Sequence, residues 1–316
     1  MSLRNNLHYF KISIANPEKL EKRYMFLEWD KNIDKYVSAT KKLKELLATV
    51  KTLKEKNLNA DEIYKDIYEL MQMQFVSKSE LNCFVNACDS TMATIQNDFS
   101  SFKKIVDLYL KYRDFTELTP KEWIQAIIDK GASRAKGSIG EDKLIEIANR
   151  TGFVFVDNWN DFSNIKKCIV KFSKNIFDIQ NIRKNLGVDL KFSSQNKMLD
   201  IIVKNGRFLT FIEAKHLKEG GGEQNKAIEE LINVIKKPKN GKQNIFYGAF
   251  IDGVYANVLL DLEANNIDNP KSVGKYGKNK TITHKLEIIK ALKANPNSLW
   301  FNTSGYTAFI KDFSEI

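Results

Sequence analysis

Little in this chain of 316 residues suggests a secreted, membrane-spanning or ATP-driven protein. No stretch approaches the ~18 consecutive apolar residues of a membrane-spanning helix. The opening MSLRNNLHYFKISIANPEK has no apolar core of a signal peptide. Cysteine is scarce and odd in number: Cys83, Cys88 and Cys168 make no disulfide framework. Cys83 and Cys88 could ligate zinc only with two further ligands nearby, and the sequence supplies none. These absences make a reduced, cytoplasmic protein the expectation. No phosphate-binding loop of the ATPase type occurs, so no nucleotide cofactor is expected. Ser133 and Arg134 lie in a glycine-rich stretch that lacks the nucleophile elbow of a hydrolase. Fixed-period repeats and low-complexity linkers are missing too.

What is present is a core and an excess of positive charge. Hydrophobic residues make up 43%, enough to bury a large interior, and the formal net charge is +11. Such an excess favours a polyanionic partner, nucleic acid before an acidic membrane surface.

From about residue 17 to 130 the apolar spacing is helical. Val37, Leu43, Leu46, Leu47, Val50 and Leu53 recur every three or four residues. Ile63, Ile67, Leu70 and Met71 do the same, after a capping Asn59 or Asp61. Near Gly131 the character changes. A helix EDKLIEIANR is followed by β-rich runs at 153–156, 168–172, 199–204, 207–214 and 244–251, with an amphipathic helix at 226–237. This order predicts a helical domain over 1–130 and an α/β domain over 131–316 with a mixed sheet flanked by helices.

Residues 199–222, LDIIVKNGRFLTFIEAKHLKEGGG, carry the chemistry. Asn205-Gly206 between two β-rich runs predicts a hairpin with a type I′ turn, pairing Lys204 with Arg207 and Asp200 with Phe211. Since alternate residues share a face, Asp200, Phe211, Glu213 and Lys215 all point one way. Asp200 and Glu213 become diagonal neighbours, about 7–8 Å apart at the backbone. Two carboxylates that close repel unless a cation lies between them, and an all-oxygen ligand set suits Mg²⁺. Lys215 adds a positive group for a phosphate or an attacking water. His216, by alternation, faces away and reads as structural.

Asp200 followed after twelve residues by Glu213-Ala214-Lys215 resembles the PD-(D/E)XK nuclease motif. Leu199 stands where that motif usually has proline. The resemblance spans roughly residues 131–255 and implies a restriction-endonuclease-like core. It also implies metal ligation by Asp200 and Glu213, catalysis by Lys215, and support from a glutamate on the preceding helix. Glu141 fits that last place, three, four and seven residues before Leu144, Ile145 and Ala148, and ranks above Glu146. In length and architecture the chain looks most like a type II restriction endonuclease. The implied activity is Mg²⁺-dependent, sequence-specific cleavage of double-stranded DNA by a homodimer. A structure-specific repair or recombination nuclease, and a DNA-binding protein with a vestigial nuclease core, are the alternatives. Lys271, Lys275, Tyr276, Lys278 and Lys280 form a basic segment suited to phosphate contacts. Gly220-Gly221-Gly222 could let backbone approach a phosphate or simply form a loop.

Overall fold

The apolar runs after residue 150 become the strands of one sheet. A computed structural model describes residues 3–114, 118–131, 136–190, 199–218, 221–236, 244–262, 267 and 280–316. The chain divides into two compact units, Met1–Met25 with Ala135–Ile316, and Phe26–Arg134. Among the described residues there are fourteen α-helices and a six-stranded mixed sheet.

The strands are β1 (Val154–Phe155), β2 (Lys167–Lys171), β3 (Ile201–Asn205), β4 (Phe208–His216), β5 (Ile245–Asp252) and β6 (Ser298–Phe301). They lie side by side in chain order. β2, β3 and β4 run antiparallel to their neighbours in that trio, β1 is parallel to β2, and β4, β5 and β6 are parallel. Helices cover both faces. Ile169, Ile201, Val203, Ile212 and Phe250 pack with Leu144 and Ala148 of the helix Lys136–Asn149 and with Phe309 and Phe313 of the helix Thr303–Ser314. Val170, Ile202, Phe211 and Tyr247 on the other face meet Val234 of the helix Gly222–Lys236. That helix continues the second layer with Leu231, Ile232 and Ile235 against Ala249, Ile251 and Trp300. Strands buried on both faces account for their near-continuous apolar runs.

The hairpin pairs differently from the expected register. Asn205 pairs with Phe208 and Ile201 with Ile212, so the turn is Gly206-Arg207. Gly206 has φ 56° while Arg207 stays at negative φ, the sign pattern of a type II′ turn with glycine first. The reason is a long-range anchor: Asn205 is buried, and its Nδ2 donates to the Phe313 carbonyl at 2.7 Å. That bond holds Asn205 in the strand. The pairing thus slips by two residues, which preserves the face of each paired side chain. The regular pairing ends at Ile201 and Ile212. The Asp200 N–H also bonds the Ile212 carbonyl at 3.0 Å, so Asp200 lies just beyond the ladder instead of taking a place in it diagonal to Glu213.

The expected division at residue 130 also needs correction, because the first 25 residues belong to the α/β unit. The helix Asn6–Ala15 buries Tyr9 and Phe10 there. Asn6 Nδ2 donates to the carbonyls of Leu292, Asn295 and Ser298 at 2.8–3.0 Å. These partners lie almost 290 residues away in sequence, beyond the reach of any local pattern.

The Phe26–Arg134 unit is helical throughout its described regular structure. Its core gathers Leu43, Leu47 and Val50 of the helix Ile33–Glu55 with Tyr64, Ile67, Val85, Phe102 and Val106. The helix Asp61–Met71 has Ala60 at its N-cap, and Asn59 instead bonds the Asp61 N–H at 2.8 Å. Residues 26–134 hold 17 basic and 17 acidic side chains, leaving 33 basic and 22 acidic for the α/β unit. The whole excess of +11 therefore resides on the α/β unit.

Candidate active site

Strand β4 leaves the sheet interior carrying Glu213, Ala214, Lys215 and His216 in succession, and the pleat sends them alternately to opposite faces. Glu213 and Lys215 share the face of Phe211, toward the helix Gly222–Lys236. His216 shares the face of Ile212, toward the helix Lys136–Asn149. Each face gathers its own charged cluster.

On the first face Glu213 is almost wholly buried and Lys215 partly so. Lys215 Nζ lies 2.5 Å from Glu213 Oε1 and 3.6 Å from Glu230 Oε2. Asp200 accepts the Ala214 N–H through Oδ2 at 2.7 Å, which ties it to the neighbouring strand. Burial, and after it the Glu213 charge, pushes the Asp200 carboxyl up to about 7, against the pull of the Ala214 N–H and Lys215; Glu141 adds a small upward push. Two neighbouring carboxylates, one driven to hold its proton, are the donor set that a hard cation relieves. A Mg²⁺ ion therefore fits Asp200 and Glu213 chemically.

A pH dependence follows from Asp200. An unfolded aspartate titrates near ~3.9, whereas Asp200 in the fold titrates at about 7. Between those values only the folded chain holds the proton. The contribution to stability is complete below about pH 4 and is lost as pH rises through 7. Urea unfolding in metal-free buffer is expected to show stability falling across that window in the wild type, with the fall much reduced in Asp200→Asn. Equal slopes would show that Asp200 ionises normally.

Glu141 occupies the helix on the opposite face of the sheet. Its carboxylate sits 3.2 Å from Lys171 Nζ, which also bonds Asp142 at 2.7 Å. Asp200, Glu213 and Glu141 do not bring their oxygens within 4.8 Å of one another as a group. Glu146 points away to Arg23 and Arg150. Lys280 is engaged by Glu229 at 2.9 Å, while Lys271, Lys275, Tyr276 and Lys278 lie outside the described residues, as do Ser133, Arg134 and Gly220.

The second face holds a cluster that sequence reasoning missed. Glu18, Glu21 and Asp252 place carboxylate oxygens within 4.8 Å of one another, and among the described residues no other group of three is compact enough to hold a cation. A cation is already there: Lys143, 2% exposed, reaches Asp252 at 3.2 Å and Glu18 at 3.8 Å and also bonds Glu21. The Tyr24 hydroxyl donates to Asp252, and its ring stacks on His216 with centroids 4.0 Å apart. Burial pushes the Asp252 carboxyl up, but the His216 ring, the Lys143 charge, Tyr24 and the Gly253 N–H together bring it down to about 2. Burial raises Glu18. With a fixed ammonium already among its carboxylates, this cluster reads as a tie between the N-terminal arm, the helix Lys136–Asn149 and the ends of β4 and β5. The available signals were Lys143 among apolar helix positions and Asp252 closing the run NIFYGAFID.

No helix of the described residues is long and apolar enough to cross a membrane. No family model, curated protein or solved structure matches this chain.

Proposed function

We propose that the protein is a Mg²⁺-dependent, site-specific double-stranded DNA endonuclease of the type II restriction kind. The observation that carries this reading is the set formed by Glu213 and Lys215 on one face of β4 with Asp200, whose carboxylate is bonded to the Ala214 N–H between them. The chain order adds support: an acid-bearing helix first, then the antiparallel trio β2–β4, then an amphipathic helix and the parallel strand β5. Confinement of the positive excess to this same unit suits a duplex partner, since phosphate neutralisation dominates such binding.

In this reading Asp200 and Glu213 hold the metal. When bound, Mg²⁺ supplies polarisation of a phosphoryl oxygen and a more acidic water. Lys215 donates its N–H groups to the scissile phosphate or the attacking water and so fixes their approach. The Ala214 N–H orients Asp200, and Glu141, held by Lys171, supports the site through its charge near Asp200. Cutting both strands with one site per chain calls for a two-fold symmetric homodimer.

Incubation with unmethylated phage DNA and Mg²⁺ tests the reading. Discrete bands are the expected result. Cleavage confined to branched DNA would replace it with a repair or recombination nuclease, and binding without cleavage with a non-catalytic DNA-binding protein.

A further inference from the structure

We propose that Glu230 is a positioning residue for Lys215; the inference rests on the nuclease reading and deepens it. Lys215 has two carboxylates in reach. Glu213 Oε1 lies at 2.5 Å on its own strand, and Glu230 Oε2 lies at 3.6 Å on the helix Gly222–Lys236. Only the first belongs to the hairpin that suggested the site.

The two contacts cannot serve alike once a divalent ion is held by Asp200 and Glu213. The charge of Glu213 is then engaged by the metal, and an ammonium beside a dication is repelled. Lys215 must turn from Glu213, and Glu230 is the carboxylate that keeps it. Glu230 is well placed for this. Its helix is pinned to the sheet by Ile228, Leu231, Ile232 and Ile235, all buried, so the carboxylate is carried on a rigid element. Glu230 itself is about half exposed, and Lys215 is 24% exposed. The pair thus sits where an incoming phosphate can meet the ammonium. The neighbouring Glu229 is committed to Lys280 at 2.9 Å and does not duplicate the contact.

As a ground-state ion pair this contact is weak, because partly exposed pairs contribute little to stability. Its effect is geometric. An ammonium on a long, flexible stem has many orientations, and a second carboxylate selects those aimed away from the metal toward the phosphate. Misplacement of a catalytic group by an ångström costs up to about 10²-fold in rate.

The test compares wild type with Glu230→Gln, which keeps the shape and removes the charge at an exposed position. Single-site DNA cleavage gives kcat and KM, and calorimetry with Mg²⁺ alone gives its affinity. The expected result is a kcat lower by about 10–100-fold, with KM and Mg²⁺ affinity within about twofold of wild type. A lysine-selective ¹⁵N–¹H spectrum of the Mg²⁺-loaded protein should show the Lys215 ammonium signal in wild type and lose it to solvent exchange in the variant. A Mg²⁺ affinity weakened tenfold would make Glu230 a metal ligand and overturn the positioning role. An active wild type matched in kcat by Glu230→Gln overturns this inference alone, whereas a wild type that cuts no DNA overturns the nuclease reading and the inference with it.

Discussion

Lys215→Met is expected to lower Mg²⁺-dependent DNA cleavage by about 10²–10³-fold without weakening Mg²⁺ binding. The magnitude is that of removing one preorganised donor aimed at developing charge. Metal affinity should hold or rise, because the substitution removes the ammonium 2.5 Å from Glu213 and leaves its carboxylate and that of Asp200 in greater need of a cation. Methionine keeps most of the buried stem, so packing against the strand is conserved. Glu213→Gln behaves differently: it removes charge from the metal side, and both Mg²⁺ affinity and cleavage should fall. Calorimetry and cleavage measured on the same two proteins separate the roles. Cleavage by Lys215→Met at the wild-type rate would remove the lysine from the chemistry.

Lys143→Met is expected to destabilise the α/β unit by about 3–5 kcal/mol, the cost of breaking a buried ion pair on one side. Lys143, Glu18 and Asp252 are each about 2% exposed at the side chain, so water cannot replace the lost ammonium. The substitution leaves three carboxylates within 4.8 Å of one another. Two responses should follow, and urea unfolding reads both. First, the variant should regain stability on acidification, as the carboxylates take up protons. Wild type does the reverse at its acid end. Asp252 titrates at about 2 in the fold and an unfolded aspartate at ~3.9, so its contribution is present above about pH 4 and is lost as pH falls through 2. Second, Ca²⁺ or Mn²⁺ should stabilise the variant more than wild type, by entering the place of the ammonium. A variant as stable as wild type, and indifferent to divalent ions, would show that the cluster is not held by charge.

The parts of the candidate site that depend on period-two alternation were legible in the sequence. Glu213 and Lys215 share a face under the expected register and under the observed one, because a slip of two residues leaves the alternation along β4 intact. Asp200, in contrast, lies beyond the paired residues and is placed by its bond to the Ala214 N–H. The turn itself was misread, since the bond that keeps Asn205 in its strand comes from Phe313. Glu230 and the Lys143 cluster were invisible for a related reason. Their partners come from separate helices, from the N-terminal arm and from the end of β5, and only the packed sheet brings them together. Composition misled in one respect. The net charge of +11 appeared as a property of the whole chain, whereas the Phe26–Arg134 unit is neutral. A phosphate-binding role for the helical part therefore draws no support from charge.

The fold also explains why two charged clusters can sit so close without merging. Lys215 and His216 are adjacent in sequence, yet the pleat sends them to opposite faces, so the ammonium beside Glu213 and the ammonium beside Asp252 are divided by the sheet. One cluster leaves its lysine partly exposed beside two carboxylates. The other closes its lysine inside three. The first arrangement suits a site that exchanges ions and substrate, and the second suits a fixed support behind it.

The most direct test is cleavage of supercoiled plasmid by wild type and Glu213→Gln side by side, in Mg²⁺ and in EDTA. The expected result is linear and then discrete fragments from wild type in Mg²⁺ only, and intact plasmid with the variant. Equal cleavage by both proteins, or none by wild type in Mg²⁺ or Mn²⁺, would contradict a phosphodiester-cutting centre built on Asp200, Glu213 and Lys215.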